Sequence, residues 1–133
     1  MNLKVTRKTS RISKLLPIGA RINCTDNSAA KILQIIGYKN TQGAKCRLRT
    51  GGVGMEALVT VKKGPIALKK KVLHAVIVRQ KAIITRTSGQ KIRFQDNAAV
   101  LLVEGLKKTI VKWVIAKEVL QDPRYANFNG TPV

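Results

Sequence analysis

Acid is what this chain has least of. Its 133 residues carry 6 Asp and Glu against 26 Lys and Arg, a formal net charge of +20 and a sequence pI near 10.8. So few carboxylates exclude the convergent acidic centre that metal-assisted phosphodiester cleavage needs. Asp26, Glu56 and Asp96 each fall in a turn or strand with an ordinary structural role. Cysteine is nearly as scarce. Cys24, Cys46 and the single His74 make three soft ligands, one short of a structural zinc site and without close ligand spacing. The two cysteines read as semi-buried thiols in a reducing compartment. His74 sits inside an apolar run and reads as a packed core or interface histidine. Ser28 and Ser88 are turn residues with no base nearby in sequence, so no activated nucleophile emerges. The expectation is a protein that is not an enzyme and holds no metal or cofactor.

Aromatics are also sparse: Tyr38, Phe94, Trp113, Tyr125 and Phe128. Single-strand binders stack bases on aromatic platforms, and only Phe94 lies in a basic cluster, where it reads as core. No apolar run approaches the roughly 20 residues of a membrane helix. The basic opening (Lys4, Arg7, Lys8, Arg11, Lys14) has no apolar stretch with a cleavage site, which argues against a secretory signal. An Arg-rich amphipathic presequence stays compatible with that opening, although Pro17 and Gly19 read as entry into a domain.

What is present is a globular composition, 44% hydrophobic, in one domain's length of chain. Residues 1–18 read as a basic, extended N-terminal arm and residues 19–133 as a single domain. The domain holds short β-branched runs, each bounded by Gly, Pro, Asn or Asp: Ala20 to Cys24, Lys31 to Tyr38, Glu56 to Val61, Val72 to Arg79, Ile92 to Phe94 and Ala98 to Val103. Residues 39–54 read as a glycine-rich loop, and Ala82 to Thr85 either extends the strand before it or starts another. Thr109 to Ile115 reads as a last strand or extended segment, Ala116 to Gln121 as helical, and Arg124 to Val133 as a loose tail. Asp26 and Asn27 set one turn, Asn97 another, and Gly89 supplies the positive φ of a tight hairpin. The continuous run Val72 to Val78 suits a strand buried on both faces. The pattern predicts a mainly β fold: a small five-stranded barrel with hairpin extensions, a basic N-terminal arm and short C-terminal helical turns.

The cations recur along the chain in clusters: Lys45-Arg47-Arg49, Lys62-Lys63, Lys69-Lys70-Lys71, Arg79-Lys81, Arg86, Lys91-Arg93 and Lys107-Lys108. They do not share one helix face, so a membrane-surface binder is disfavoured. Positive charge spread over several sides of one body suits a large folded RNA, contacted through phosphates, sugars and shape. Six to ten such phosphate contacts lose roughly 10³–10⁵ in affinity between about 50 and 200 mM salt. A free RNA-binding or architectural module is the alternative that charge alone leaves open.

The spacing of Ala75-Val76-Ile77-Val78, Ser88-Gly89, Phe94, Asn97 and Val100-Leu101 resembles the signature of the universal large-subunit ribosomal protein L-fourteen family. The eukaryotic cytosolic form was formerly called L-twenty-three. Leu16 to Ser28 resembles the eukaryote-type opening, Gly52-Val53-Gly54 and Val59 to Gly64 the middle, and Ala116-Lys117-Glu118 the start of the C-terminal segment. The resemblance spans roughly residues 11–126. Ala29 stands where the family usually has Gly, Met55 where it has Asp, and Trp113-Val114 where it has Gly-Pro. The glycine-rich extension of the eukaryotic form is shortened. These departures point to a divergent lineage.

The resemblance implies a structural constituent of the large ribosomal subunit, in the cytosolic ribosome, with nucleolar assembly in a eukaryotic host. It implies contacts with large-subunit rRNA, neighbouring ribosomal proteins and, through intersubunit bridges, small-subunit rRNA. Arg47, Arg49, Lys62, Lys63, Lys69, Lys70, Lys71, Arg79, Lys81, Arg86, Lys91, Arg93, Lys107 and Lys108 are the candidate rRNA contacts. The family's C-terminal segment receives an anti-association factor. Carried over, this makes Glu118, Gln121, Asp122, Arg124, Tyr125 and Asn127 candidate protein contacts, with a simple cap on the barrel as the alternative.

Overall fold

The computed structural model describes residues 11–12, 14–25, 30–39, 50–69, 71–102, 114–120 and 131–133. Five strands close into a barrel in the order β10-β3-β4-β6-β7. They are β3 (Arg21–Cys24), β4 (Ile32–Tyr38), β6 (Glu56–Lys63), β7 (Val72–Arg79) and β10 (Ala98–Leu102). All neighbours pair antiparallel except β10 with β3, which pair parallel.

Period-two alternation explains β4 and β6. Leu33 and Ile35 on β4 and Ala57, Val59 and Val61 on β6 turn inward, while their neighbours reach the surface. Strands β7 and β10 are different: Ala75 to Val78 and Ala98 to Leu101 are buried on both faces. The C-terminal segment, β11 (Val114–Ile115) and the single turn α2 (Lys117–Leu120), meets the end of β7. The Ala116 N–H donates to the Val78 carbonyl at 3.0 Å, and Ile115, Ala116 and Val119 join the core. The expected two-sided burial thus holds from Ala75 onward only. Val72 is exposed, and His74 is exposed beside Glu56 rather than packed in the core, because nothing described covers that end of β7.

Several short pieces go beyond the sequence expectations. Part of the segment read as an arm is sheet: β1 (Arg11–Ile12) pairs with β8 (Ile84–Thr85), and β2 (Leu16–Pro17) pairs with β5 (Thr50–Gly51) inside the expected loop. Apolar burial drives this, since Leu16 enters the core and Ile12 packs against it. Ile84–Thr85 starts a new strand rather than extending β7, and it pairs with β9 (Lys91–Ile92). After Gly64-Pro65 the chain forms one helical turn, α1 (Ile66–Lys69). The end of the expected loose tail, β12 (Thr131–Pro132), pairs parallel with β11.

Tyr38 fastens β2 and β5 to the barrel. Its hydroxyl donates to the Leu16 carbonyl at 2.6 Å, and burial pushes its pKa from 10.0 up to about 12. Gly51 is required beneath the ring: a Cβ there would lie 2.2 Å from Tyr38 Cε1.

Candidate nucleic-acid interface

One cationic group crowns the β6–β7 hairpin. Lys62 and Lys63 end β6, Lys69 closes α1, Lys71 precedes β7, and all four are exposed. Lys31 joins them, for its N–H donates to the Lys63 carbonyl at 2.8 Å. The sequence reading missed Lys31, and also the exposed Arg21 at the start of β3. Each stands alone in sequence, so no cluster marks either one. Between these lysines α1 turns Leu68 toward the core and leaves Ile66 74% exposed.

A second group lies at the far end of β7, seven steps of roughly 3.3 Å away. There a β-bulge shifts the pairing from Ala99↔Ile77 to Ala98↔Arg79. A bulge changes the parity of a strand and re-aims the side chains beyond it. Arg79 consequently continues the buried stretch and is only 5% exposed. Its Nη2 donates to Asp96 Oδ2 at 3.2 Å, and among the described residues its buried Nε–H has no acceptor. Arg79, Arg93, Phe94, Gln95, Asp96 and Val114 line a cleft of about 470 Å³. An adjoining hollow of about 330 Å³ shares Arg93, Phe94 and Gln95 and adds Lys81.

The cleft wall is braced. Asn23 Nδ2 donates to Asp96 Oδ2 at 3.3 Å, and Asn97 Oδ1 accepts the Lys81 N–H at 2.8 Å. The Phe94 N–H donates to the Gln80 carbonyl at 3.2 Å. Gln80, buried, accepts the Val53 N–H on its Oε1 at 2.9 Å. Asn97 therefore sets its turn through this strap, and Phe94 is buried as expected.

Arg86 and Glu118 are turned inward, contrary to their reading as surface contacts. Arg86 Nε donates to Glu118 Oε1 at 3.1 Å, with the two side chains 14% and 6% exposed. Arg86 Nη2 also donates to the Val133 carbonyl. The pair clamps the β8–β9 hairpin to α2 and to the β12 end, so its charges are consumed within the fold. Arg79 is also turned inward, with Asp96 engaging its Nη2 alone among the described residues. Gly89, at φ 90°, makes the hairpin turn between β8 and β9, closed by the Arg86 N–H on the Gln90 carbonyl at 2.8 Å.

The described acids are each engaged by a base. Glu56 Oε1 lies 3.2 Å from His74 Nδ1 and 3.8 Å from Lys39 Nζ, Asp96 holds Arg79, and Glu118 holds Arg86. Among the described residues, Lys62, Lys63, Lys69, Lys71, Lys81, Lys91 and Arg93 are exposed and in no ion pair. Among the described residues no three His, Cys, Asp or Glu side chains converge on a metal position, and no helix is long and apolar enough to cross a membrane. The expected contacts Arg47, Arg49, Lys70, Lys107, Lys108, Gln121, Asp122, Arg124, Tyr125 and Asn127 lie outside the described residues, as do the turn residues Asp26 and Asn27.

Residues 15–128 match the family model described as ribosomal protein L14p/L23e. A protein of Cenarchaeum symbiosum (strain A) named large ribosomal subunit protein uL14 is 44% identical over 119 residues, covering 87% of this chain and 83% of that protein. The protein of the same name from Methanococcus maripaludis (strain C7) is 45% identical over 114 residues, covering 84% and 86%. That of Nitrosopumilus maritimus (strain SCM1) is 44% identical over 119 residues, covering 87% and 85%.

Proposed function

Since the chain belongs to the ribosomal protein L14p/L23e family, we propose that it is a structural constituent of the large ribosomal subunit that binds large-subunit rRNA through its lysines and arginines. One observation carries the binding mode. The described carboxylates are held by Arg79, Arg86, His74 and Lys39, and the exposed cations of the β6–β7 hairpin are left to an external anion. A phosphate backbone supplies anions at a density that five neighbouring lysines can match.

The role is structural, and the expected outcome is that labelled RNA incubated with the protein and Mg²⁺ stays intact; degradation would refute this. The ribosome of the cytoplasm is its place of work, and assembly in a nucleolus applies only to a eukaryotic host. Neighbouring large-subunit proteins share its surroundings. Bridging to small-subunit rRNA and reception of an anti-association factor are further parts of the proposal, with Gln121 to Asn127 as the candidate contact segment. Arg47, Arg49, Lys70, Lys107 and Lys108 extend the proposed rRNA surface.

The test is binding to purified large-subunit rRNA across a salt series. Replacing Lys62, Lys63, Lys69 and Lys71 by Gln lowers the slope of log K against log salt by roughly three, at about 0.7–0.9 per phosphate contact. An unchanged slope refutes the assignment of this hairpin. In a sucrose gradient of lysate the protein sediments with large subunits at moderate salt, and recovery only at the top favours the free RNA-binding module instead.

A further inference from the structure

We propose that the cleft at the end of β7, together with the hollow that adjoins it, is a built phosphate site that takes one phosphodiester group of the bound RNA, held by Arg79 and Arg93 in the cleft with Lys81 at the adjoining rim. The proposal rests on the rRNA-binding reading and adds a specific seat to it.

Arg79 is the first ground. A guanidinium offers five N–H donors and is buried only where they are satisfied. Here it is 5% exposed, yet one bond to Asp96 is the only hydrogen bond its side chain makes among the described residues, and Nε–H is buried with no acceptor. An arginine held this deep by a bulge and one carboxylate has donating capacity to spare at a cavity wall. A phosphate oxygen meets that capacity better than water, because a charged acceptor strengthens each N–H bond.

Charge is the second ground. Arg93 and Lys81 are exposed at the rim and in no ion pair among the described residues. Counting the adjoining hollow, three cations accompany one carboxylate, which leaves a local excess of positive charge. Asp96 is itself committed, accepting from both Arg79 and Asn23 on Oδ2. It positions Arg79 and is not a competitor that a ligand must displace.

Shape is the third. The cleft, at about 470 Å³, is large enough for a phosphodiester with its flanking riboses, and Phe94 and Val114 supply an apolar wall for the sugar edge. Phe94 is nearly buried, so the wall suits a sugar and not a stacked base. The seat is rigid as well: the straps from Asn97 to Lys81 and from Phe94 to Gln80 fix both sides of the cleft. A preorganised seat of this kind orients a bound strand, whereas the hairpin lysines on their long stems supply attraction without register.

Two measurements on the full-length protein test the site. In the first, the Arg79 Nε–H resonance is followed while a uridine oligonucleotide, inorganic phosphate or a glutamate-rich peptide is added at constant ionic strength. A saturable shift with the oligonucleotide, weakened about tenfold in the Lys81→Gln/Arg93→Gln double variant, is expected. No shift, or a shift with phosphate or the peptide but none with the oligonucleotide, overturns the proposal. In the second, the same double variant is compared with wild type on purified large-subunit rRNA. Its salt slope falls by roughly one, the change for a lost phosphate contact. If wild type binds this rRNA and the double variant matches it in affinity and slope, the seat is wrong and the ribosomal reading stands. If wild type binds no rRNA, both fall together. Both substitutions are at exposed positions, so folding is expected to survive, and a melting curve equal to wild type verifies it.

Discussion

Replacing Gly51 by Ala is expected to unfasten β2 and β5 from the barrel. The added Cβ would stand 2.2 Å from Tyr38 Cε1, 2.5 Å from Cζ and 2.9 Å from Cδ1. Ordinary contact begins near 3.4 Å, so the ring must retreat by about 1.2 Å (3.4 less 2.2) or the β5 backbone must rise by the same amount. Neither move is easy, because the ring is 4% exposed and its hydroxyl sits 2.6 Å from the Leu16 carbonyl. Overpacking of a tight core costs about 1–3 kcal/mol. Stretching the hydroxyl bond beyond reach strands a buried pair, which costs roughly 1–3 kcal/mol more. The sum, about 2–6 kcal/mol with a midpoint of about 4, corresponds at that midpoint to a fall in melting temperature of roughly 15 °C for a chain of this size. Thermal unfolding by circular dichroism measures it. Tyr38→Ala removes the obstacle, so Gly51→Ala should cost under about 1 kcal/mol in that background, a coupling of at least ~2 kcal/mol. Additive effects of the two substitutions would refute the argument, because the ring would then not be what Gly51 accommodates.

Tyr38 also gives the fold an alkaline limit. Its folded pKa, about 12, exceeds the ordinary 10.0, so the folded state holds the proton more tightly than the unfolded one. The stabilisation is complete below pH 10 and is lost as pH rises from 10 toward 12, about 2–3 kcal/mol in all. Tyr38→Phe removes this slope, and the difference between the two urea-unfolding profiles isolates it from lysine deprotonation. Identical profiles would contradict the assignment. Glu118→Gln is expected to cost roughly 3 kcal/mol by leaving Arg86 half-buried without its carboxylate. Amide exchange at Ala116 and Val133 should accelerate ahead of the barrel strands, and uniform exchange would argue against a clamp.

The barrel was legible because its strands are long enough to carry a period. Ile32–Tyr38 and Glu56–Lys63 alternate, and Ala98–Leu102 is a continuous apolar run between turn residues. A two-residue strand has no period, which is why β1, β2, β5 and β12 could not be read. The turn at α1 stayed hidden behind Gly64-Pro65, a pair that ends a strand without fixing the conformation of the residues after it. The core alternative for His74 fails for a related reason: a continuous apolar run loses its phase, so nothing local separates exposed His74 from buried Ala75.

Charge was legible as an amount and a spacing, and its pairing was not. Arg79 and Lys81 look equivalent in the chain, yet one bulge places Arg79 inside and leaves Lys81 at the rim. Chemistry decides between them. A guanidinium can be satisfied by a carboxylate within a wall, whereas an ammonium is strongly hydrated and stays in water. Among the described residues, the two cations turned inward are arginines, Arg79 and Arg86, and each engages one of the scarce acids. Those carboxylates are thereby committed and do not pair with the exposed lysines. The unscreened lysines outside are in part a consequence of how the interior satisfies its arginines, so exchanging Asp96 or Glu118 for a neutral residue would weaken the fold before it altered the attraction for RNA.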